Sequence, residues 1–561
     1  MKPVNGASVA IVGGGPVGLM LALMLDRHHV PSVVFDTAGA TRMHPKGSTH
    51  NARTMEHYRR VGVAGAVRTL GLPPEHPRDV AYFTRLCGFE LARIALPSER
   101  QSLAAAQAAP ADDQVPEPLL RANQMYVDRQ LFQHASDRPG ISLRFGRRVT
   151  GFVQDAAGVE IDSIDAGGSQ AERWRANYLI GCDGGQSFVR RALGIAYQDV
   201  LPSLDGGAAP GQGFLNGRMF SSHVRIPALP GIVAGREAWM YNMLNTNGRT
   251  LLISLDGRDE FLLMSKADTD AALPADDEIV RCIRQGVGAP VDVTVLAHAA
   301  WYGGAALVAE RFAAGRVLLA GDATHLFSPT GGFGMNTGID GAANLAWKLA
   351  AAVQGWAGDG LLASYETERR PVALRNTTAA RRLTERVVDL HIPAAIEDDG
   401  DAGALARVQL GDRLGDFRGQ FTALGVELGA RYDGSPLVWP DGEPPPDDLF
   451  AYRASDVPGG RLPHLWIDGD GPVRRSLFDL LGTGFTLLRI GPHAASGAPF
   501  LEAAARLDIP LDVLAITPAP GLNPFRKALV LVRPDQHVAW RGDSIPDSAE
   551  AVLRRAVGGA D

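Results

Sequence analysis

Three glycines near the amino terminus, Gly13, Gly15 and Gly18, form the pattern G-x-G-x-x-G. The first permits a tight turn, the second lets a diphosphate approach the backbone, and the third lets a helix pack closely on a strand. Asp36 follows at about 20 residues, the spacing at which a carboxylate can bind an adenosine ribose hydroxyl. A glycine turn that binds nothing explains the pattern poorly, because each glycine costs stability. These residues predict a dinucleotide site.

A second group of chemically suggestive residues lies near position 330. Asp322 ends a short apolar run, and the segment SPTGGFG at 328–334 leads into a long helical pattern. Asp322 can accept a hydrogen bond from a ribityl hydroxyl. Backbone amides of a glycine loop at a helix N-terminus can stabilise negative charge on a flavin pyrimidine. A glycine turn before an ordinary helix leaves the aspartate unexplained, so this segment indicates a flavin site.

Short apolar strands must position these residues. Ser8–Val12 and Ser32–Phe35 flank a helical pattern at 19–25, and Tyr178–Gly181 and Val317–Ala320 are runs of the same buried type. Ligands of open α/β sheets bind beyond the carboxyl ends of the strands. The Asp-Gly pair after the third run and the Gly-Asp pair after the fourth are therefore predicted to face the ligand.

The rest of the chain predicts three further regions. Residues 196–299 alternate short strands with turns and indicate an inserted antiparallel substrate-binding sheet, to which 66–120 contribute on the substrate side. Within the latter, 98–118 are expected to form an exposed loop. Residues 396–450 indicate a linker with a helical segment, and 451–561 alternate β and α elements. The weak candidates for substrate contact are Arg225, Trp239, Tyr241 and Met243.

Composition excludes several classes of function. The 561 residues carry a net charge of −7 without a basic block, so a nucleic-acid partner is not expected. No segment resembles a membrane span or a cleaved signal, and we expect a cytoplasmic enzyme. Cys87, Cys182 and Cys282 form neither a CxxC pair nor a metal-ligand spacing. We therefore expect no metal, and the flavin disulfide reductases are excluded.

The motifs GGGPVG, CDGGQSFVR, GDATHLFSPTGGFGMNTG and YETERRP resemble those of the single-component FAD-dependent aromatic hydroxylases, the p-hydroxybenzoate hydroxylase and phenol hydroxylase group. The resemblance implies an α/β fold. Residues 1–195 and 300–395 would form a Rossmann-type FAD-binding domain interrupted by the antiparallel sheet. Residues 451–561 would form a thioredoxin-like domain that lacks CxxC and serves as a structural element or a contact in a homodimer.

The same resemblance assigns site residues. Pro329, through its carbonyl, and His50, as the nearest titratable substitute for a base expected at Ser48, are the catalytic candidates. Many relatives have Arg where Lys46 stands, a polar residue where Phe333 stands, and Gln-Asp where Asp340-Gly341 stand. The residues implied to bind FAD are Gly13, Gly15, Pro16, Val17, Gly18, Asp36, Thr37, Lys46, Arg53, Gln124, Asp183, Gly184, Asp322, Pro329, Gly332, Gly334, Met335 and Asn336.

The resemblance implies a reaction as well. A single G-x-G-x-x-G indicates that NADPH or NADH visits the flavin transiently rather than occupying its own domain. A flavin C4a-hydroperoxide formed with dioxygen would then hydroxylate a phenolic aromatic ring. Two alternatives remain open. One is another FAD-dependent oxidoreductase on this fold, such as a halogenase-like or atypical tailoring enzyme, although the halogenase motif WxWxIP is absent. The other is a non-catalytic FAD- or ligand-binding protein.

Overall fold

The structure, a computed structural model, describes residues 5–200, 217–266, 273–303, 305–388, 390–467 and 474–559. Its helices are α1 (Pro16–Arg27), α2 (Ala52–Arg60), α3 (Ala64–Arg68), α4 (Glu99–Ala108), α5 (Gln124–Ser136), α6 (Phe188–Ala192), α7 (Leu229–Ile232), α8 (Asp276–Val287), α9 (Phe333–Gln354), α10 (Ser364–Val388), α11 (Asp401–Gly415), α12 (Leu424–Leu428), α13 (Ala498–Arg506) and α14 (Ala549–Ala556).

The strands, in chain order, are β1 (Asn5–Val12), β2 (Ser32–Asp36), β3 (Thr49–His50), β4 (Val80–Phe83), β5 (Glu90–Ile94), β6 (Leu120–Arg121), β7 (Ile141–Phe145), β8 (Arg147–Gln154), β9 (Val159–Asp165), β10 (Ala171–Gly181), β11 (Tyr197–Asp199), β12 (Gly217–Arg225), β13 (Met240–Asn245), β14 (Gly248–Ser254), β15 (Glu260–Lys266), β16 (Thr294–Gly303), β17 (Leu307–Ala309), β18 (Ala313–Ala314), β19 (Val317–Leu319), β20 (His325–Leu326), β21 (Trp466–Ile467), β22 (Arg475–Ser476), β23 (Phe485–Ile490), β24 (Leu511–Ile516), β25 (Leu529–Val532) and β26 (Val538–Gly542).

The first sheet has the strand order β18-β19-β10-β1-β2-β7, and β8 and β9 continue from β10. β1 pairs in parallel with β2 and β10, and β10 pairs in parallel with β19. The register aligns Val12 with Gly181 and Gly181 with Leu319. Three strand ends that lie far apart in sequence therefore meet at one edge. The predicted Rossmann-type fold is confirmed.

The inserted sheet has seven strands in the order β16-β12-β15-β14-β13-β4-β5. It is antiparallel except where β13 pairs in parallel with β4, a strand contributed by the earlier segment 80–83. One face packs against α8 through Ile279 and Ile283, which share a core with Tyr241 and Met243. The helix therefore fixes which side of each strand is covered and leaves the opposite side for the rest of the molecule.

Residues 396–450 do not form a free linker. Ile396, together with Ala406, Leu410 and Leu414 of α11, joins a core with apolar side chains of the inserted sheet. The predicted exposed loop at 98–118 is also wrong in part, because 99–108 form α4. Ser98 caps this helix by accepting a hydrogen bond from the Gln101 amide. The Pro and Ala content of the segment favoured a loop, whereas its S-x-x-Q capping box indicates the start of a helix.

The C-terminal region forms a four-stranded sheet in the order β24-β23-β25-β26, with α13 and α14 packed on it. Before this sheet, the apolar segment Leu477–Leu480 forms a short 3-10 turn capped by Ser476. Trp347 of α9 lies in the same core as Phe485 of β23. The C-terminal sheet therefore packs directly on the helix that follows the second glycine loop. None of the helices in the described ranges is long and apolar enough to span a membrane.

Candidate active site

The first glycine motif forms a turn at the end of β1. Gly13 has φ of +110°, and a Cβ atom there would lie 2.2 Å from the Cys182 carbonyl oxygen. A Cβ atom on Gly18 would lie 2.0 Å from the Gly13 oxygen. Gly15, by contrast, has no other atom within 4 Å of a Cβ position. The motif therefore combines two tightly packed glycines with one that leaves open space at the start of α1, which suits a diphosphate.

Asp36 stands at the end of β2 and closes this turn. One carboxylate oxygen accepts a hydrogen bond from the Gly14 amide at 2.7 Å, and the other accepts one from the Ala38 amide at 2.8 Å. Thr37, between them, is exposed. A carboxylate fixed beside the turn in this way is suited to accept a ribose hydroxyl as well, since each oxygen has a second lone pair.

The second glycine loop begins α9. Gly331 and Gly332 have φ of +83° and +67°, a conformation that strongly favours glycine. The Pro329 carbonyl, expected to face the substrate, accepts a hydrogen bond from the Gly332 amide at 3.1 Å. Pro329 itself is exposed, and Gly334 and Met335 are half-buried. The loop thus presents backbone amides at the N-terminus of a long helix, where negative charge is stabilised.

Asn336 fastens this loop to β3 and α2. Its Nδ2 donates to the Thr49 carbonyl at 2.9 Å and to the Gly332 carbonyl at 2.6 Å. Its Oδ1 accepts the Asn51 amide at 3.0 Å. The Asn336 side chain is buried, so these bonds are protected from water. One amide side chain therefore fixes the distance between the glycine loop and the start of α2.

The two glycine motifs meet through Val17. A Cβ atom on Gly338 of α9 would lie 2.8 Å from the Val17 Cγ2 atom and 3.1 Å from the Gly321 Cα atom. Gly18 and Gly338 are thus the small residues that let α1, α9 and the strand end at Gly321 approach one another. Pro16 occupies the first position of α1, where a missing amide hydrogen costs nothing.

Asp322 and Lys46 face the same space. The Asp322 side chain is exposed, yet surrounding protein raises its pKa by desolvation while the Lys46 ammonium acts in the opposite direction. An exposed carboxylate is desolvated in this way where it lines a concave surface. Gln124 stands at the start of α5, and its backbone amide donates to the Gly47 carbonyl at 2.9 Å. Lys46 therefore lies within electrostatic reach of Asp322, and Gln124 is bonded to the residue that follows Lys46, while its side chain donates to Asp128 at 3.1 Å.

Asp183 and Gly184 follow β10, as expected, but the Asp183 carboxylate already accepts hydrogen bonds from within the protein. Its two oxygens accept hydrogen bonds from the Ser187 hydroxyl at 2.5 Å and from the Val189 amide at 3.1 Å. Asp183 therefore helps to cap α6. Gly184 has no other atom within 4 Å of a Cβ position, so the turn itself is open to a ligand.

Arg53 does not lie free beside the cleft as predicted. It is 4% exposed, and its guanidinium donates to Asp340, to Glu56 and to Gln536 and the Asp535 carbonyl of the C-terminal region. Asp340, the residue at the departure from the family pattern, also accepts from His57 and Arg369. Arg53 is therefore a structural residue at a domain junction, because α2 turns it away from the glycine loop.

His50 also fails as a base in this structure. Its ring is fully buried, with Nδ1 3.1 Å from the Tyr58 hydroxyl and Nε2 3.1 Å from the Ala122 carbonyl. Burial lowers its pKa to about 4, although the Ala122 carbonyl acts in the opposite direction. Alternation along β3 explains the outcome, since Thr49 faces Gly332 and the next side chain must face the core.

The four weak substrate candidates are not brought together. Tyr241 and Met243 lie in the core between the inserted sheet and α8, and the Tyr241 hydroxyl accepts the Ala238 amide at 2.8 Å. Trp239 is buried against the Arg121 guanidinium. Arg225 is exposed at a strand end and is paired with Glu260 at 2.7 Å. Tyr241, Met243 and Trp239 are therefore core residues, and Arg225 is a paired surface residue.

The opposite face of the inserted sheet is turned to the first domain. Ser221, Met264, Leu251 and Asn242 are aligned across neighbouring strands. His44, from the loop after β2, lies with its Nε2 2.8 Å from the Ser221 hydroxyl oxygen. The Ser221 end of this row therefore contacts the loop after β2, whereas Leu251 and Met264 share a core with residues of α11. The sequence alternation could have found this row only if the position of α8 had been known.

Sequence reasoning also missed Arg121 and Glu427. Arg121 is buried, donates to the Thr49 hydroxyl, stacks on Trp239 with Cζ 3.9 Å from the ring centroid, and forms no ion pair within the described ranges. Burial lowers its pKa to about 9. Glu427 accepts the Ala52 amide at 3.0 Å, and burial raises its pKa to about 7. Neither residue belongs to a motif, since both are positioned by tertiary packing.

The geometry fits FAD. An open glycine turn with a helix N-terminus suits the pyrophosphate, Asp36 suits the ribose, and the exposed Asp322 precedes a second amide-rich loop. Such a site defines an FAD-dependent oxidoreductase. Residues 6–380 match a family model described as FAD binding domain, and residues 455–560 match one described as aromatic-ring hydroxylase, C-terminal.

Individual relatives agree with these matches. The FAD-dependent monooxygenase apdD of Emericella nidulans is 32% identical and aligns with 98% of this chain and 90% of its own length. Phenol 2-monooxygenase of Pseudomonas sp. is 28% identical over 97% of this chain and 91% of its own. The structure of chromopyrrolic acid-soaked RebC with bound 7-carboxy-K252c is 35% identical, with a TM-score of 0.88 and full coverage of both chains. The chain belongs to the FAD-dependent aromatic hydroxylase family and is a monooxygenase.

Proposed function

We propose that this enzyme hydroxylates a phenolic aromatic ring with dioxygen and NADPH or NADH. The observation that carries the proposal is a chain of contacts from the second glycine loop to one face of the inserted sheet. Thr49 lies against Gly332 and accepts a hydrogen bond from Arg121. Arg121 stacks on Trp239 in the core that also contains Leu251 on that face. Residues 396–450 cover part of that face and help to exclude water. A covered, largely apolar surface of this kind suits an oxygen transfer that water would divert.

Several groups of the protein would assist the reaction at this site. When bound, FAD would supply hydride acceptance from the nicotinamide and activation of dioxygen. The backbone amides at the N-terminus of α9, which begins at Phe333, would stabilise negative charge beside them. Lys46 is exposed and lies near Asp322, where a visiting anionic nucleotide could reach it.

We assign Arg121 an electrostatic role in activating the substrate hydroxyl, in place of the base expected at His50. It is a buried cation without an ionic partner in the described part of the chain, and it lies one side chain from the glycine loop through Thr49. A nearby positive charge lowers the pKa of a substrate hydroxyl and so increases the phenolate fraction. No general base needs to touch the ring if water can accept the proton.

Arg121→Met is expected to shift the pH profile of kcat/KM for the hydroxylation upward by about one unit. Arg121→Lys keeps the charge and should shift it less. The matched control is Arg78→Met, which removes another buried arginine in the neighbouring segment. An unchanged profile in Arg121→Met with normal FAD binding would contradict the role assigned to Arg121.

The function is tested with purified protein, its visible spectrum, and NADPH or NADH oxidation against a panel of monocyclic and polycyclic phenols. We expect a yellow protein, substrate-stimulated oxidation of the nicotinamide, and a product heavier by one oxygen atom. Oxidation that forms only peroxide with every phenol would contradict the phenolic substrate class. A halogenated product, or ligand binding without turnover, would favour one of the two alternative functions.

A further inference from the structure

A cavity of about 160 Å³ lies far from the glycine motifs, where three parts of the chain meet. Its wall contains Arg27 at the end of α1, Arg59 and Arg60 at the end of α2, and Phe478 and Asp479 from the C-terminal region. We call it the arginine cavity. It is several times larger than the roughly 30 Å³ that one liquid water occupies, so it has room for a small polyatomic ligand.

Charges in the cavity wall are not balanced. Arg59 is paired with Asp479 at 2.6 Å and with Glu117 at 2.9 Å. Glu56, the other carboxylate in the wall, is already held by Arg53 and Arg461. Arg27 and Arg60 form no ion pair within the described ranges. Two half-buried guanidinium groups thus share one cavity without a carboxylate of their own.

Most of the donors on these two arginines are unused. Arg27 donates to the Leu481 carbonyl at 3.4 Å, and its Nε is buried without a partner. Arg60 donates to the Pro534 carbonyl at 2.5 Å. A guanidinium carries five N–H donors in a planar fork, so each arginine retains several. Uncompensated donors and charges at a buried junction are costly unless a ligand completes them.

The electrostatic environment points in the same direction. Burial, with repulsion from Arg27 and Arg53, lowers the pKa of Arg60 to about 9, although Asp535 and Glu56 act in the opposite direction. Burial, with repulsion from Arg60 and Arg27, lowers the pKa of His28 to about 3. Each arginine alone could be explained by the dipole at a helix C-terminus. That effect does not explain why two of them converge on one cavity.

We propose that the arginine cavity binds a small phosphate-type oxyanion between the guanidinium groups of Arg27 and Arg60. Planar guanidinium forks match the oxygen spacing of phosphate and bind it in a bidentate manner. The anion would neutralise the excess charge and connect α1 and α2 with the C-terminal region through the residues that already donate to Leu481 and Pro534. The ligand is either the free ion or the phosphate group of a nucleotide.

The test uses the holoenzyme in phosphate-free zwitterionic buffer, with sodium chloride holding ionic strength constant. Inorganic phosphate is titrated by isothermal calorimetry, and Tm is followed by scanning fluorimetry. We expect saturable binding of one phosphate per chain and a rise in Tm of about 3 °C at a hundredfold excess over Kd. Arg27→Gln and Arg60→Gln should each weaken binding at least about tenfold.

Arg173→Gln is the matched control. Arg173 is 54% exposed and is paired with Asp162, outside the cavity wall, so this substitution also removes one positive charge but leaves the cavity intact. Its phosphate affinity should equal that of the wild type. If Arg27→Gln does not fold, Arg27→Lys keeps the charge but loses the fork and should still weaken binding. Titrations with NADP⁺ and NAD⁺ distinguish the two sources. Tighter binding of NADP⁺ than of phosphate, lost in Arg60→Gln, identifies the nucleotide. An NADP⁺ affinity that is the same in the wild type and in Arg60→Gln, while phosphate binding is weakened in the variant, identifies the free ion.

Two results would overturn the proposal. One is the absence of saturable heat, which means that the cavity holds only water. The other is an equal rise in Tm for the wild type, Arg60→Gln and Arg173→Gln, because phosphate stabilises many proteins generally by exclusion from their surface.

Discussion

At the scale of single residues, the glycines of the first motif have different tasks. Gly13 and Gly18 are needed because backbone atoms of Cys182 and of Gly13 itself occupy the space of a side chain. Gly15 is needed for the opposite reason, since it leaves space that the protein does not fill. The same residue type thus serves folding at two positions and ligand binding at the third.

Gly15→Ala is expected to fold but to bind FAD at least about tenfold more weakly, which is about 1.4 kcal/mol. Gly18→Ala places a methyl group against a backbone carbonyl and should cost about 3 kcal/mol of folding free energy. FAD titration of deflavinated protein measures the first effect, and urea unfolding measures the second. Equal loss of stability in both variants would contradict this division of tasks.

At the scale of elements, the second glycine loop is positioned by β3 and α2 as much as by its own helix. Asn336 of α9 bonds to Thr49 on one element and to Asn51 at the cap of the other. Thr49 also lies where a side chain on Gly332 would fall, 3.0 Å from its Cβ position. The two-residue strand β3 therefore fixes the position of the second glycine loop relative to α2.

Asn336→Ala is expected to cost about 1–3 kcal/mol of stability, because a buried amide of Asn51 loses its acceptor. It should also weaken FAD binding, since the loop is released from β3. The control is Asn376→Ala, which removes a buried asparagine that bonds to Thr337 of the same helix at 3.1 Å. The control should lose stability but keep FAD affinity, and the two are compared by fluorescence titration. Unchanged FAD affinity in Asn336→Ala would show that the loop does not depend on this bond.

At the scale of the whole molecule, a buried ionic network joins the domains. Glu368 of α10 accepts hydrogen bonds from Lys348 of α9 at 2.6 Å and from Arg533 of the C-terminal region at 2.6 and 2.8 Å. Arg533 also pairs with Asp535 at 2.6 Å, and each of these four side chains is at most 2% exposed. Such a network requires every partner, so the C-terminal region and the long helices are held in one arrangement.

Arg533→Met is therefore expected to lower the free energy of unfolding by about 3–5 kcal/mol, because two buried carboxylates lose their main partner. Arg554→Met is the control, since Arg554 is 47% exposed and its pair with Glu550 should contribute less than about 0.5 kcal/mol. Urea unfolding followed by intrinsic fluorescence compares them. A loss below 1 kcal/mol in Arg533→Met would contradict a structural role for the network.

Acidification should destabilise the molecule between pH 6.5 and 5. Burial lowers the folded-state pKa of five histidines to about 3 or 4. The unfolded state therefore binds more protons than the folded state in this range, and the free energy of unfolding decreases as the pH is lowered. Each contributes about 1 kcal/mol per pH unit. Asp128 and Glu427, with pKa values raised to about 7, act in the opposite direction but are fewer. The histidines are His28, His50, His57, His325 and His464.

The measurement is urea unfolding at pH 7.0, 6.0 and 5.0. His50→Gln should reduce the dependence on pH in this range, because it removes one of the titrating groups while retaining polar contacts. Stability that is constant or rises on acidification would contradict the prediction.

The sequence by itself determined the fold class and the FAD cofactor, and it located the glycine turns after β1 and before α9. Glycine patterns, strand-end aspartates and a helix start are local features, because a tight turn or an open backbone is required by neighbours a few residues away. The turns at Gly13 and Gly331 were therefore predictable, while the contacts of Gly15 and Asp322 with FAD stay predictions. The segment 98–108 shows that a local signal, its capping box, was present but overlooked.

Only the tertiary structure decided which side chains face the cleft. A strand's alternation gives two faces, and the packing of α8, about 40 residues away from Tyr241 and Met243 in the sequence, decided that these two lie in the core. His50 was turned inward by the pairing of β3 with β6, and Arg53 was committed by residues 535 and 536 of the C-terminal region. Arg27, Arg60 and Arg121 belong to no sequence motif. The groups that surround each of them are distant in the sequence, so their environment is known only from the tertiary structure.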